Sequence, residues 1–160
     1  GQLRVYNKEG ITSSYLGDGY YQAYNQFGER TLFLGTGTSG GGYLRTYNFE
    51  GQETMYIGTG ADSSGQLRVY DSAGETGTFL GSGYFRTYNQ FGKMTNYLVY
   101  WRVGGGYLRT NNKFETETSF LGTNNSNEGL INLNDKFGQS FGIRLNKGNW
   151  IIIHFLTFSS

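Results

Sequence analysis

Gly42-Tyr43-Leu44-Arg45-Thr46-Tyr47-Asn48-Phe49-Glu50-Gly51, with Thr54-Met55-Tyr56-Ile57-Gly58 close behind it, decides how this chain is read. In the opening hexad Leu44 and Thr46 point one way and Arg45 and Tyr47 the other, with the β-branched and aromatic residues that favour a strand. Asn48 and Gly51 then take the first and fourth places of a turn, where the Asx side chain bonds the backbone ahead of it and glycine accepts positive φ. A second strand follows, marked by Thr-x-aromatic-Leu/Ile-Gly and seen again at Thr31-Leu32-Phe33-Leu34-Gly35 and Thr118-Ser119-Phe120-Leu121-Gly122.

This strand-turn-strand unit recurs along the chain. Copies open at Gly1, Gly19, Gly42, Gly65, Gly83 and Gly106, and a weaker seventh opens at Gly129, so that successive starts lie 18, 23, 23, 18, 23 and 23 residues apart. The spacing itself repeats every 64 residues, and Gln2-Leu3-Arg4-Val5-Tyr6 returns unchanged as Gln66-Leu67-Arg68-Val69-Tyr70, the mark of a duplicated three-unit block. Structural turns are expected at Asn7/Gly10, Asn25/Gly28, Asn48/Gly51, Asp71/Gly74 and Asn89/Gly92. In the sixth copy Glu115 stands where glycine belongs, and a distorted turn is expected there. The longer units carry their extra residues after the second strand, at a corner expected to face solvent, where loop length costs little.

Composition removes most chemistry. The 160 residues include 27 glycines, 14 tyrosines and 12 phenylalanines but no cysteine and no proline, so disulfides, thiolate metal sites and thiol nucleophiles are excluded. One histidine cannot build a polyimidazole metal site. Thirteen basic and twelve acidic residues leave a formal charge of +1, too little to favour nucleic acid or an anionic membrane. The most apolar stretch, Trp150 to Phe158, is far shorter than the roughly 20 residues of a membrane helix, so no membrane insertion is expected. No targeting segment is read at Gly1, and the chain is expected to be a mature or internal piece.

No window reads as an amphipathic helix, and two short strands cannot bury a core alone. The units must therefore stack, along one chain as a β-solenoid or among several chains winding together. Stacking would place Leu3, Leu44, Leu67 and Leu108 in one column, Tyr6, Tyr24, Tyr47, Tyr70 and Tyr88 in another, and Arg4, Arg45, Arg68, Arg86 and Arg109 in a third. Leu with Val or Thr is the expected inward pair. Arginine stems lying on tyrosine faces would form the outer ladder, with Glu9, Glu29, Glu53 and Glu75 offsetting the repulsion among the guanidinium groups. Seven β-repeats are read over 1–138. The segment 139–160 is read as a non-repeat cap or assembly element, because Ile151, Ile153 and Phe155 belong to a strand apolar on both faces that requires cover.

The unit Gly-Tyr-Leu-Arg-Thr-Tyr-Asn-x-x-Gly with its Tyr-Leu/Ile-Gly sequel resembles the glycine- and asparagine-turn repeats of tail-fibre-like phage proteins and of secreted bacterial surface fibres, over residues 1 to about 138. That resemblance implies an elongated, usually homotrimeric β-helical shaft without catalytic activity. The chain is also similar in flavour to aromatic, glycine-rich hairpin repeats that bind choline or glucans in cell-wall proteins. It departs from them in having only Trp101 and Trp150 instead of paired tryptophans.

Each candidate site has a plainer reading. Tyr6, Tyr24, Tyr47, Tyr70 and Tyr88 could stack sugar rings, or could simply pack on one another and on arginine to wall the fibre. His154, between Ile153 and Phe155, reads as a strand residue; Gly40-Gly41-Gly42 and Gly104-Gly105-Gly106 read as corners, since neither opens a helix or carries a P-loop lysine. Asp62 and the corner around Glu128 are weak metal candidates, and Asn124-Asn125-Ser126 is a glycosylation sequon. The expectation is an all-β, extracellular, cell-surface or virion structural protein that self-associates as a homotrimer or an end-to-end filament. No cofactor and no catalytic residues are expected. Surface glycans are the other partner considered, through a glycan- or choline-binding hairpin module.

Overall fold

The computed structural model describes residues 1–38, 40–101, 105–123, 128–140, 143–145 and 151–153, and no helix occurs among them. Two compact units divide the chain, Gly1–Ser82 and Gly83–Ser160. The first contains β1 (Leu3–Tyr6), β2 (Thr12–Gly17), β3 (Tyr20–Tyr24), β4 (Arg30–Thr36), β5 (Gly42–Tyr47), β6 (Glu53–Thr59), β7 (Gly65–Tyr70) and β8 (Thr76–Gly81). The second contains β9 (Tyr84–Tyr88), β10 (Met94–Trp101), β11 (Gly105–Asn111), β12 (Glu117–Thr123) and β13 (Gly129–Leu133), with a short ladder of β14 (Ile143–Leu145) and β15 (Ile151–Ile153). The fold is all-β, as the alternation predicts. Within each unit these strands pair antiparallel with their chain neighbours, so the repeated hairpins lie side by side in an open meander.

The Asx turns have one geometry throughout. At Asn48 the Gly51 amide donates to the Asn48 carbonyl at 3.0 Å, the Asn48 amide donates to the Gln52 carbonyl at 2.9 Å, and Asn48 Oδ1 accepts from the amides of Glu50 and Gln52 at 3.1 and 2.9 Å. Gly51 has φ 79°, and the register slips between Thr46 and Tyr47, which makes this a type I turn closed by a glycine bulge. Asn7, Asn25, Asp71, Asn89 and Asp135 hold the same bonds, with Gly10, Gly28, Gly74, Gly92 and Gly138 at positive φ. The distortion expected at Glu115 does not occur. Asn112 keeps both bonds, Glu115 itself enters the left-handed region at φ 65°, and its carboxylate meets Lys93 Nζ at 3.1 Å. Asn112 thus imposes the turn, and the side chain at the fourth position carries the strain.

The opposite corners explain the two unit lengths. Asp18 and Gly19 have φ 51° and 81°, the signature of a two-residue type I′ hairpin that follows a six-residue β2. The longer units lengthen the preceding strand to seven residues and turn through a wider loop, in which the Gly37 amide reaches the Gly41 carbonyl at 2.7 Å and the Gly60 amide reaches the Ser64 carbonyl at 2.7 Å.

Among the residues whose burial is described only Tyr15 and Gly17 are buried, so the strands of the first unit enclose no interior of their own. Alternation gives each meander two unlike faces. On one face of the first unit a row runs Leu3, Leu16, Tyr21, Leu34, Leu44, Ile57, Leu67, Leu80, each opposite the next. The leucine–valine–threonine pair expected inside lies on this face, and it is open: Leu3 is 59% exposed, Leu34 49% and Leu80 51%. The arginines and the rings of Tyr15, Tyr20, Phe33, Tyr43 and Tyr56 occupy the other face.

Candidate functional site

The aromatic face is where side chains meet. Across the first unit, register aligns Arg4, Tyr15, Gln22, Phe33, Arg45, Tyr56, Arg68 and Phe79 in one row. The arginine column expected from stacked copies is therefore interrupted. Equivalent strands lie two places apart in a meander; each intervening strand inserts an aromatic ring, and on β3 Gln22 takes the arginine's place. Arg45 lies 4.9 Å from the Tyr43 ring centroid and 5.5 Å from that of Tyr56, while Arg4 lies 5.2 Å from Tyr15 and Arg68 5.5 Å from Phe79. Cation–π contact, more than carboxylate pairing, thus deals with the arginine charge. Of the four glutamates expected to offset it, Glu53 pairs with Arg45 at 3.3 Å, whereas Glu9 meets Lys8 and Glu29 accepts from Asn25. Glu75 belongs to the Asp71 turn, with its amide on Asp71 Oδ1.

A continuous ring ladder runs beside the arginines. Tyr15, Tyr20, Phe33, Tyr43 and Tyr56 follow one another with centroids 5.2, 5.4, 5.1 and 5.8 Å apart and interplanar angles of 34°, 20°, 12° and 18°. The rings reach each other because the strand glycines Gly17, Gly35 and Gly58 lie beneath them. A Cβ at Gly35 would come within 2.6 Å of Tyr20 Cβ and 2.9 Å of the Phe33 ring, and one at Gly58 within 2.5 Å of Tyr43 Cβ. The closing glycine of Thr-x-aromatic-Leu-Gly is a floor for the neighbouring ring.

This ladder was not in the sequence reading, although the signal was present: a glycine follows the aromatic residue by two, on the same face, in Tyr15/Gly17, Phe33/Gly35, Tyr56/Gly58, Phe79/Gly81 and Phe120/Gly122. A second missed feature is the tip of the Asx turns. Phe27, Phe49, Phe91, Phe114 and Phe137 sit there, 63–73% exposed, with Phe27 and Phe49 edge to face at 5.7 Å.

The tyrosines proposed for sugar stacking occupy separate strand ends beside the turns. Tyr6 is exposed on β1, Tyr24 donates its hydroxyl to Gln22, and Tyr47 lies under Arg30 at 4.4 Å. Burial, with Glu53 beside it, raises the Tyr70 hydroxyl above its ordinary value, and Tyr88 neighbours Arg86. Tyr24 lines one hollow of about 280 Å³ with Arg4, Tyr15, Tyr20 and Gln22. At its edge, burial pushes the Tyr15 hydroxyl up to about 12, helped by its 3.0 Å bond to Asp18.

Asp62 is engaged by its own loop. Its carboxylate accepts from Ser64 Oγ at 2.6 Å, the Ser64 amide at 3.1 Å and Ser82 Oγ at 2.8 Å, which hold it down at about 2. Among the described residues no group of three or more His, Cys, Asp or Glu converges as metal ligands would. Ile151 and Ile153 lie in β15, opposite Leu145 and Ile143. Phe155, His154, Gly104 and the sequon Asn124-Asn125-Ser126 lie outside the described residues. Comparison with protein-family models finds no match, and comparison with curated proteins finds none.

Proposed function

We propose that this chain is a non-catalytic structural subunit of an extracellular fibre or filament, at a cell surface or on a virion, built by self-association of its β-repeats as a homotrimer or end to end. The observation that carries this reading is the absence of an interior. Eight repeated strands in the first unit bury no more than Tyr15 and Gly17 among them, and one whole face is left apolar and open. A sheet with both faces in water lacks the second layer that domains use to bury apolar surface, so association is the natural source of that layer. Light-scattering mass with negative-stain imaging tests the reading: multimers forming rods support it, and a monomer at every concentration refutes it.

The hollow at Tyr24 favours a second reading, a glycan- or choline-binding hairpin module. Its aromatic and polar lining suits a sugar face or a quaternary ammonium group, and its volume lies just below the range of about 300–1,000 Å³ typical of small-molecule pockets. Tyrosine fluorescence titrated with choline and oligosaccharides would then saturate, and Tyr24→Ala would abolish the change.

A further inference from the structure

Every unit opens with a glycine, and for some of them the chain itself supplies no reason. Gly19 has positive φ in its hairpin, and a Cβ at Gly106 would come within 3.0 Å of the Val99 carbonyl. Gly42 and Gly65 differ. Neither adopts positive φ; a Cβ at Gly65 would meet nothing within 4 Å, and one at Gly42 would meet only the Gly35 carbonyl at 4.0 Å. Glycine inside a strand costs about 0.5–1 kcal/mol relative to alanine, and close approach of another backbone or side chain is the usual reason to keep it. Both glycines stand two residues before a leucine of the exposed row, Leu44 and Leu67, so both lie on the leucine face.

That face has the shape and charge of an interface. Beside the leucine row runs a second one, Val5, Ser14, Ala23, Leu32, Thr46, Met55, Val69, Thr78, and neither row contains a charged residue. Leu16, Tyr21, Leu34, Leu44 and Ile57 flank a groove of about 660 Å³ into which Gly42 opens. Eight strands each about 4.8 Å wide, crossed by these two rows and by the row of Thr36, Gly42, Thr59 and Gly65, each row about 6.8 Å deep, make this face roughly 38 by 20 Å, on the order of 800 Å². Stable complexes bury about 800 Å² per partner.

We infer that the leucine face of the first unit closes against the same face of another copy of this chain, with the leucine ridge of each entering the glycine groove of the other. The two rows carry no charge, and Asp18 at the groove has its carboxylate held by Gln2 and the Tyr15 hydroxyl, so the face meets its own copy without stranding an ion, whereas a charged partner would have to desolvate one unpaired. A ridge beside a groove is self-complementary under two-fold rotation, and sheets packed face to face at about 10 Å interdigitate such rows. The inference rests on the self-association reading and specifies the surface that does it.

Gly65→Leu tests it, because a Cβ there meets nothing within 4 Å in the single chain and lies on the face that a partner would cover. Light-scattering mass and far-UV circular dichroism are recorded for the full chain, for Gly65→Leu, for Leu34→Glu and for Phe49→Ser at a turn tip. The expected result is a multimer for the full chain and for Phe49→Ser. Gly65→Leu and Leu34→Glu should give a folded single-chain mass at the same concentration, with assembly weakened at least tenfold. A multimer that survives Gly65→Leu and Leu34→Glu, or one lost on Phe49→Ser alone, overturns the leucine-face contact while leaving self-association standing. A monomeric full chain overturns both.

Discussion

The ring ladder of the first unit and that of the second follow the same register but stack differently, and one residue separates them. In the first unit the place opposite each tyrosine is held by Gly17, Gly35 or Gly58, and successive rings lie 12–34° apart. In the second unit that place on β10 is held by Val99, opposite both Tyr84 and Tyr107. There Tyr84 and Tyr97 are tilted by 55°, and Tyr97 and Tyr107 by 69°. Two strands further on, glycine returns as Gly122 in β12, and Tyr107 and Phe120 are again stacked at 27°. Centroid separations stay between 5.0 and 5.8 Å throughout, so the glycine sets the tilt of the rings and not their spacing. Both arrangements are favourable aromatic geometries, which is why the repeat tolerates the exchange.

The largest effect is expected from putting valine into the stacked ladder. Gly58→Val brings its Cβ against Tyr43 Cβ and the Tyr43 backbone at 2.5 and 2.8 Å, and is expected to destabilise the first unit by about 3 kcal/mol in denaturant titration. Near-UV circular dichroism should change with it. Next in size is Arg45→Ala, which removes a guanidinium from two rings and from Glu53; a loss of about 1–2 kcal/mol is expected by the same titration.

Glu115→Gly runs the other way, relieving a left-handed residue in the second unit at the cost of an exposed ion pair, and should raise the melting temperature by about 3 °C. Val99→Gly sharpens the comparison more than it changes stability. Added backbone freedom and improved stacking offset one another within about 1 kcal/mol, while the near-UV spectrum moves towards that of stacked rings.

The smallest effect lies away from the ladder, in the Asp62 loop. Its carboxyl is held at about 2 in the fold, against 3.8 ordinarily, so what it contributes is present above the unfolded value and lost as pH falls through about 2. Ser82→Ala should raise that value, read from the pH dependence of the Asp62 carboxyl resonance.

Much of this was legible in the residues. Asn48 and Gly51 specify their turn by local chemistry, and the alternation of Leu44, Arg45, Thr46 and Tyr47 specifies a strand with two unlike faces, so turns and strands could be read one unit at a time. The identity of the neighbour could not. Reading equivalent residues as stacked in columns put Arg45 beside Arg68, whereas the antiparallel register inserts Tyr56 between them and replaces repulsion with cation–π contact. For the same reason the motif alone assigns Gly35 and Gly58 no role, since the rings they support stand on neighbouring strands, at Tyr20 and Tyr43. Glu115 was misjudged because the Asx side chain, and not the glycine, dictates the turn. The sugar-stacking tyrosines were chosen by their period, and a period does not say which ring faces are covered.

We propose that the two faces of the first unit are closed by different means, the aromatic face by its own chain and the leucine face by another copy. The chain has no cysteine, so a single introduced thiol reports on one position alone. Maleimide labelling of Val69→Cys on the leucine face, against Glu50→Cys at an exposed turn, tests this most directly. Val69→Cys should label at least about tenfold more slowly at concentrations where the chain is multimeric, and recover on dilution. Equal rates at the two positions, unchanged by dilution, would contradict the account.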